Sequence, residues 1–382
     1  MSGNAGLGVT ARNVALSLQQ HRVPCVILDA QHTWGEKVAV DGIEAPFARA
    51  PEELVHPVNL YILSNPHFEK LFSANPFLLA RDRFHAAWVW WEASSLPPSW
   101  AQMLSRLDAV VAGSGFVAQT LAADLAFTPV IEAAHPLHLP EGIAADRAHF
   151  GLPADATVFS VSFDPNSDPM RKNPAGAIQA FRVAFPSEPD VRLAIHMNHA
   201  EGVVGQDVLR ELRRFAAGDL RVVFLLEPMS YAEVLSFYAS SDVYVSLHRG
   251  EGLGLGLMES MAFGVPVIAT GWSGNMSFMG YDCGCPVRYR MVPVNGAWEF
   301  FKPEFAPGAR WADPVLDDAV QWMRKLHLEP AHRRALGEAA RKAIAAYRER
   351  AQGRAWIDQL QAVWNARTFL PPVPGKLSSI GM

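Results

Sequence analysis

The sequence has few cysteines and no strong excess of either charge. Its 382 residues include three cysteines, Cys25, Cys283 and Cys285, which are too few for a disulfide framework. Cys283 and Cys285 stand one residue apart without a second pair, so they do not match a zinc-knuckle pattern, and we expect free thiols. A formal net charge of −5 gives no electrostatic reason to bind nucleic acid. These features argue against disulfide-rich secreted proteins and nucleic-acid-binding proteins.

Long apolar runs are also absent. No stretch approaches the length of a membrane span, and the first residues show no basic segment followed by an apolar one, so we expect no signal peptide. Half of the residues are hydrophobic and 19% are charged, which is ordinary for a globular protein. We therefore expect a cytoplasmic protein without a transmembrane segment, with peripheral membrane contact left open.

Short apolar runs alternate with helical patterns along most of the chain. This alternation predicts two doubly wound, Rossmann-like α/β domains, because parallel strands need helical crossovers. The expected boundaries are residues 1–148 and 149–350, then a helix at 351–366 that packs back on the first domain, and a loose tail at 367–382. The first predicted element is a helix from about Val9, with no strand before it.

The most informative segment lies near residue 250. An apolar strand, Val243–His248, leads into a glycine-rich loop and helix with a carboxylate at each end, Glu251 and Glu259. Glycines allow close approach of the backbone to a ligand, and a helix N-terminus offers unpaired N–H groups and partial positive charge. The segment is suited to a ligand with hydroxyls and phosphates.

A second constellation follows the predicted strand Thr157–Phe163. Arg171 and Lys172 directly precede Asn173 and Pro174, and asparagine at an N-cap with proline in the first turn is a typical helix start. An anion placed there would meet two cations and a favourable helix dipole.

Together these segments, with Gly271–Met279, closely resemble family-four retaining glycosyltransferases of the GT-B fold. The resemblance implies a nucleoside-diphosphate sugar as donor, bound mainly by the second domain, and no bound metal or further cofactor. By resemblance, Glu251 holds donor-sugar hydroxyls, Glu259 the ribose, and Lys172 and Arg171 the diphosphate. The further donor-binding residues it implies are Gly252, Gly254 and the N–H groups of Ser273, Gly274 and Asn275.

In the first domain the resemblance implies a cleft that takes a glycan or lipid-linked acceptor, as in polysaccharide-assembly members. The residues expected there are Gly6, Gly8, Trp91, Glu92 and Ser114. Two interpretations of Trp91 and Glu92 stay open: stacking on a sugar and binding of a hydroxyl, or a buried aromatic and a structural carboxylate. The chain departs from the family pattern in three respects. No strand precedes the glycine loop, Trp91 stands where many members have histidine, and Asn166 stands near the place of a common arginine.

We expect a retaining, metal-independent glycosyltransferase of the hexosyltransferase type, acting in surface polysaccharide synthesis. Other interpretations fit parts of the sequence. Gly6, Gly8 and Asp29 are spaced as in a dinucleotide fingerprint, which would suit a nicotinamide-dependent oxidoreductase. Glu251 and Glu259 could be the carboxylate pair of a glycoside hydrolase. The absent first strand would suit a non-catalytic binder of nucleotide sugars or glycans. Spacing alone does not specify the sugar, base, acceptor or oligomeric state.

Overall fold

The computed structural model describes residues 6–29, 42–74, 76–79, 82–297, 299–302, 304 and 306–368. They form two α/β units, with four parallel strands in the main sheet of the first and six in that of the second. The predicted fold class is confirmed in this respect.

The helices of the described residues carry their numbers in chain order. They are α1 (Gly6–Gln20), α2 (Asn65–Ala74), α3 (Pro98–Leu104), α4 (Gly115–Asp124), α5 (Pro169–Lys172), α6 (Pro174–Ala184), α7 (Val203–Ala216), α8 (Tyr231–Ala239), α9 (Leu255–Ala262), α10 (Leu316–Leu328), α11 (Pro330–Ala351) and α12 (Ala355–Thr368).

The strands are numbered in the same way. They are β1 (Ile27–Leu28), β2 (Phe47–Ala48), β3 (Val58–Ile62), β4 (Phe84–Val89), β5 (Ala109–Ala112), β6 (Val130–Glu132), β7 (Thr157–Phe163), β8 (Val191–Met197), β9 (Val222–Leu225), β10 (Val243–Ser246), β11 (Val267–Thr270), β12 (Cys285–Val287), β13 (Tyr289–Pro293) and β14 (Arg310–Pro314).

The sheet of the second unit has the order β9-β8-β7-β10-β11-β12. The chain adds strands outward on one side from β7 and then on the other side from β10, so the order reverses between these two strands. In open α/β sheets, ligands bind beyond the carboxyl ends of the strands at such a switch point. Both motif segments, after β7 and after β10, start there.

The first unit is built in two pieces. Strands β3-β4-β5-β6 form one sheet, and β1 pairs only with β2 among the described residues. Residues 1–5 lie outside the described residues. Gly6 and Gly8 were expected in a loop, but they lie in the first turn of α1, because the helix begins three residues earlier than its apolar pattern indicates.

The last helix packs on the sheet of the first unit. Trp356 of α12 meets Trp88 of β4 edge to face, with ring centroids 5.5 Å apart. Val14 of α1 belongs to the same buried cluster, so α1 and α12 cover one face of β4 and β5 together. This arrangement fixes the position of α1, whose first turn reaches the cleft between the units.

Several elements have no counterpart in the sequence prediction, among them α2, α3, β12, α11 and the hairpin β13–β14. Helix α11 is 22 residues long, and its buried positions include the small residues Gly337 and Ala340, which give a weak apolar signal. Gly337 packs closely on the carbonyl oxygen of Gly264, since a Cβ on Gly337 would lie 2.1 Å from that atom. The antiparallel hairpin β13–β14 was also unassigned.

Candidate active site

A cavity of about 590 Å³ lies at the switch point of the second sheet, between the two units. Most of the predicted site residues line it: Gly6, Trp91, Glu92, Arg171, Lys172, Glu251, Gly252, Gly254 and Glu259. The structure thus brings together residues from segments about 250 positions apart. Gly8, Ser114, Ser273, Gly274 and Asn275 are not part of its lining.

The glycine loop is shaped by close backbone contacts. Gly254 is the N-cap of α9 with φ of 87°, a left-handed conformation that glycine adopts without steric cost. Gly274 packs against the loop from behind, where a Cβ would lie 2.0 Å from the carbonyl oxygen of Gly252. Ser114, the N-cap of α4, donates a hydrogen bond of 2.6 Å from Oγ to that same carbonyl oxygen. The loop is therefore held from both units.

Glu251 and Lys172 form an ion pair at the centre of the cavity. Lys172 Nζ donates to Glu251 Oε1 at 2.6 Å. Burial opposes ionisation of this carboxylate, but the charges of Lys172 and Arg171 outweigh it and lower the pKa of Glu251 to about 2. Glu251 is therefore an ionised hydrogen-bond acceptor at neutral pH. An ammonium group has three N–H donors, so Lys172 can keep this contact and bind a further anion.

Arg171 is placed differently from Lys172. Its Nη1 donates to the carbonyl oxygen of Gly250 at 2.8 Å, and its Nη2 donates to that of Ser167 at 2.9 Å. The side chain is 6% exposed, against 23% for Lys172. We expected both cations to meet the diphosphate, but the Arg171 guanidinium is largely engaged in joining the two motif segments. Lys172 is the cation better placed for a ligand.

Glu259 is a buried residue of α9 that lines the same cavity. Tyr231, the first residue of α8, donates a hydrogen bond of 2.7 Å from its hydroxyl to Glu259 Oε1. Arg12 of α1 lies over the Tyr231 ring, with Cζ 5.6 Å from the centroid, and so brings a cation from the first unit. Burial raises the pKa of Glu259 to about 8, against the lowering effects of the Tyr231 hydrogen bond and the Arg12 charge.

Ser273, Gly274 and Asn275 support the loop instead of lining the cavity. Ser273 Oγ accepts from the N–H of Glu251 at 2.9 Å, and the N–H of Gly274 donates to the Glu251 carbonyl oxygen at 2.9 Å. Asn275 Nδ2 donates to Thr270 O at 3.0 Å. None of the three residues lines the cavity, and the Gly274 N–H, which was expected to contact the donor, already donates to the Glu251 carbonyl oxygen.

Trp91 does not offer a face to a sugar. It is 1% exposed and stacks on Phe301, with centroids 5.2 Å apart and an interplanar angle of 9°. Trp100 meets the Trp91 ring edge to face. Trp91 Nε1 donates to Ser95 O at 2.7 Å. Of the two interpretations of Trp91, the structure therefore favours the buried aromatic over the sugar-stacking residue. Trp90 is the more accessible indole of this segment, and it packs against Gly252.

Glu92 lies where the two units meet. Its carbonyl oxygen is so close to Gly250 that a Cβ there would lie 1.9 Å away. Burial raises the pKa of Glu92, and the nearby Arg171 charge offsets part of this effect. Glu92 lines the same cavity as Glu251 and stays a candidate for binding an acceptor hydroxyl. Ser114 is buried and donates a hydrogen bond to the glycine loop, so it stabilises the edge of the cleft.

Sequence reasoning missed Arg12 and Tyr231. Tyr231 carried a usable signal, since it follows a strand end and the helix N-cap Ser230, which forms a capping box with Glu233. Arg12 carried none, because nothing in a helical pattern indicates which side chain will reach the other unit. Asp29 does not line the cavity that Gly6 lines, so the two ends of the supposed dinucleotide fingerprint do not meet there.

Neither a metal-binding cluster nor a membrane-spanning helix occurs in the part of the chain that the structure describes. No group of three or more His, Cys, Asp or Glu side chains in the described ranges is placed to hold a metal ion. Among the helices of those same ranges, none combines the length and the apolar character that crossing a membrane would require.

Comparison with known proteins assigns part of the chain. Residues 184–289 match the family described as "Glycosyl transferases group 1", a range that contains both motif glutamates. The chain is 29% identical over 143 residues to a D-inositol 3-phosphate glycosyltransferase of Streptomyces griseus, covering 36% of this chain and 30% of that protein. It is 32% identical over 139 residues to the Thermobispora bispora protein of the same name, covering 35% and 32%. The matches thus span about a third of these relatives.

Solved structures extend the likeness to the whole fold. Anabaena HepE in complex with UDP and glucose superposes with a TM-score of 0.62 at 14% identity, covering 97% of this chain and 98% of that one. A trehalose-phosphate synthase of Burkholderia vietnamiensis gives 0.58 at 11% identity, covering 83% and 75%. TarM of S. aureus, with UDP bound, gives 0.56 at 10% identity, covering 81% and 55%. The chain therefore has the GT-B fold and contains a group 1 glycosyl transferase domain, which confirms the family resemblance of its motifs.

Proposed function

We propose that this protein is a retaining glycosyltransferase that moves a hexose from a nucleoside-diphosphate sugar to a glycan or lipid-linked acceptor. The observation that carries the proposal is the ion pair of Lys172 and Glu251 at the switch point, in one cavity with Glu259. HepE and TarM, which share this fold, hold UDP in their solved structures. Three free cysteines fit a reducing, cytoplasmic location.

The proposed donor position follows from charge. The ribose would lie at Glu259 and Tyr231, the diphosphate between Lys172 and the first turn of α9, and the sugar at Glu251. The N-terminal turn of a helix favours phosphate through its N–H groups and dipole. Glu251 stays ionised at neutral pH, so both of its oxygens accept hydrogen bonds from sugar hydroxyls.

The chemical task is to stabilise charge that develops as the bond from the sugar to the diphosphate breaks. Negative charge grows on the departing phosphate, and the ammonium of Lys172 is fixed beside it by Glu251. A preorganised charge in a site that excludes water stabilises the transition state without reorganisation. No metal is needed in this scheme, and chelator is expected to leave the rate unchanged. We assign the retaining outcome and a role in surface polysaccharide synthesis on the family resemblance.

Turnover of a panel of nucleotide sugars tests the proposal. Each donor is incubated with the protein and with a glycan acceptor pool, and release of the nucleoside diphosphate is measured. We expect release with one base and sugar, and a product that keeps the donor's anomeric configuration by NMR. A donor that binds but is never consumed would favour the non-catalytic binder. Reduction of a nicotinamide cofactor with no release of diphosphate would favour the oxidoreductase.

A further inference from the structure

A segment of the second unit enters the apolar core of the first. The chain leaves the second sheet after β12 and returns to that unit at α10, and the hairpin β13–β14 lies between them. The described residues of 294–311 are here named the cross-unit segment. It contributes five side chains to the buried cluster of the first unit: Val294, Phe301, Ala306, Ala309 and Trp311. The other buried members of that cluster that the structure describes lie between Tyr61 and Leu125.

Strand β14 is hydrogen-bonded to both units. In the first unit, the Ser94 N–H donates to Arg310 O at 3.0 Å, and Ser94 Oγ accepts from the Arg310 N–H at 2.9 Å. In the second unit, the Ala312 N–H donates to Arg249 O at 2.8 Å, and Arg249 Nε donates to Asp313 Oδ1 at 2.8 Å. Arg249 directly precedes the glycine loop, so this strand links the loop to the first unit.

Phe301 lies where the cross-unit segment reaches the active site. It is 4% exposed and lines the active-site cavity. Its ring stacks on Trp91 of the first unit, and Arg171 Cζ lies 5.7 Å from its centroid. A cation over an aromatic face is attracted by the ring, and more strongly where water is excluded. Phe301 therefore contacts both the acceptor side of the cavity and the cation that joins the two motif segments.

The cross-unit segment also abuts the short helix α5, which carries Arg171. Asp168 caps that helix, since its Oδ1 accepts from the N–H groups of Met170 at 2.9 Å and Arg171 at 3.1 Å. A Cβ on Gly296 would collide with Asp168 Oδ2. The Gly296 N–H donates to Phe301 O at 2.7 Å, so the backbone that meets this cap is bonded to Phe301 itself.

Opening the cleft would separate these contacts. Two units of one chain are expected to move relative to each other unless their interface is large and hydrophobic. Here a hinge movement would have to bring Phe301 and Trp311 from a packed core into water, which opposes it because burial of large apolar side chains is strongly favourable. It would also break the two hydrogen bonds between Ser94 and Arg310. The contacts therefore favour one closed arrangement.

We propose that Phe301 is a positioning residue of the active site and that the cross-unit segment keeps the cleft closed in the free protein. The ring sets the distance between the acceptor side of the cavity, at Trp91 and Glu92, and the segments that Arg171 joins. Groups that are held in place before the ligands bind need no closure of the cleft to react. The effect on turnover rests on the glycosyl transfer proposed above, whereas the closed state does not.

Pulsed EPR between the two units tests the closed state in the whole chain. Spin labels are attached at Ala123→Cys on α4 and Glu211→Cys on α7, both at exposed positions, in a Cys25→Ser background. We expect one narrow distance that matches the structure, and the same distance after addition of UDP, GDP or ADP. Phe301→Ala should gain a second, longer distance, and Phe301→Tyr, which keeps the ring, should not.

The matched control for these distances is Phe185→Ala. Phe185 is 1% exposed in the core of the second unit, where its ring meets those of Phe159 and Phe181. Its loss weakens a core without touching the contacts between the units. This variant should keep the single distance of the native chain.

Steady-state kinetics tests the positioning role with any donor that the native chain consumes. Phe301→Ala should lower kcat about tenfold or more, because a misplacement of about 1 Å can cost roughly 100-fold in rate. Affinity for the nucleoside diphosphate should fall by less, since Lys172, Glu251 and Glu259 all belong to the second unit. Phe301→Tyr should restore kcat.

Three results would overturn the proposal. A native chain with two distances, or with a distance that shortens on addition of a diphosphate, would show that the cleft opens. A single distance in Phe301→Ala, or a second one in Phe185→Ala as well, would mean that Phe301 does not hold the units together. Equal losses of kcat and affinity in Phe301→Ala would remove the positioning role.

Two further outcomes are separated by this design. A chain that consumes no donor would contradict the proposed function, and the distances would still decide whether the cleft is closed. Should Phe301→Ala not fold, Phe301→Leu takes its place with the same criteria.

Discussion

Among single residues, Lys172 is the one on whose charge the proposed chemistry depends most. Replacing Lys172 with methionine keeps its length and removes the charge beside the departing phosphate. We expect the turnover rate to fall by about 100-fold or more, because losing one preorganised donor to a developing oxyanion costs roughly 3–4 kcal/mol. Steady-state assays at saturating donor measure this change.

The matched control for this variant is Lys342→Met. Lys342 lies on the surface of α11 with a side chain 74% exposed. It should leave turnover unchanged. Equal losses in the two variants would show that methionine acts through stability or solubility and would remove Lys172 from the chemistry.

The raised pKa of Glu259 makes the free energy of unfolding depend on pH, and the direction of that dependence follows from the shift. Its pKa is raised from 4.5 to about 8, so between these values the native protein holds a proton that the unfolded chain releases. The free energy of unfolding therefore falls as pH rises from about 5 to 8. In Glu259→Gln that component is lost, and the variant's stability relative to the native chain should increase by about 1 kcal/mol or more over this window.

Urea unfolding at pH 5, 6.5 and 8 checks this expectation. Glu338→Gln is the control, because Glu338 is a surface residue whose pKa is lowered by Arg341 and so titrates below the window. Parallel pH profiles of the native chain and Glu259→Gln would mean that Glu259 is ionised throughout the range.

Arg12 is expected to favour the ionised form of Glu259 from across the cleft. In Arg12→Met the pKa of Glu259 should rise further, and affinity for the nucleoside diphosphate should fall about tenfold at pH 7, as for one pKa unit. Arg12→Lys keeps the charge and should stay near the native affinity. Calorimetric titration from pH 6 to 9 decides the point, because the loss in Arg12→Met should disappear at the highest pH. A loss that is the same at every pH would mean that Arg12 acts through packing on Tyr231.

The residues that sequence could predict are those whose role follows from local spacing. Asn173 is the N-cap of α6 with Pro174 in its first turn, as the pattern predicts. The hydrogen-bond partners of the site residues could not be predicted from the sequence. That Arg171 binds loop carbonyls while Lys172 faces the cavity depends on the distance between two segments 79 residues apart. Trp91 lies beyond the end of β4, so strand alternation does not tell which face it occupies.

Among elements, the loop between β10 and α9 depends on a support that the next segment provides. Gly274→Ala would place a Cβ against the carbonyl oxygen of Gly252, and the backbone would have to move. We expect donor binding to be lost or weakened at least tenfold, with destabilisation of about 1–3 kcal/mol, as for overpacking of a core. Thermal unfolding and diphosphate titration measure the two effects.

A glycine in open surroundings provides the control for that change. In Gly202→Ala the new Cβ would meet only the carbonyl oxygen of His199, at an ordinary 3.7 Å. Its binding should equal that of the native chain. Native-like binding by Gly274→Ala would show that the loop does not need this contact.

Helices and strands with a regular hydrophobic pattern could be predicted from the sequence, and those without such a pattern could not. Strand β7 has the bounds that its apolar run predicts. Helix α11 was missed because its contact with α9 uses small residues, which the hydrophobic pattern does not reveal. Strand β1 is shorter than its apolar run, and its one partner among the described residues is β2. An apolar run specifies burial, whereas strand length also depends on a neighbour to pair with.

At the scale of the whole molecule, the two units meet at the glycine loop. Ser114 Oγ bonds to Gly252 O, the Phe116 ring meets Trp272 edge to face at 4.8 Å, and Arg12 lies over Tyr231. A ligand in the cavity therefore touches both units, and its binding should stabilise the molecule as one body.

The most direct test of the central claim is a thermal unfolding screen against nucleoside diphosphates. At 100 times its dissociation constant, the matching diphosphate should stabilise the protein by about 2.7 kcal/mol. We expect the unfolding temperature to rise with the diphosphate of one base. This rise should be strongly reduced in Lys172→Met and retained in Lys342→Met. A folded protein that shows no shift with any diphosphate, or one whose shift is the same in both variants, would contradict the assignment of this cavity as the donor site.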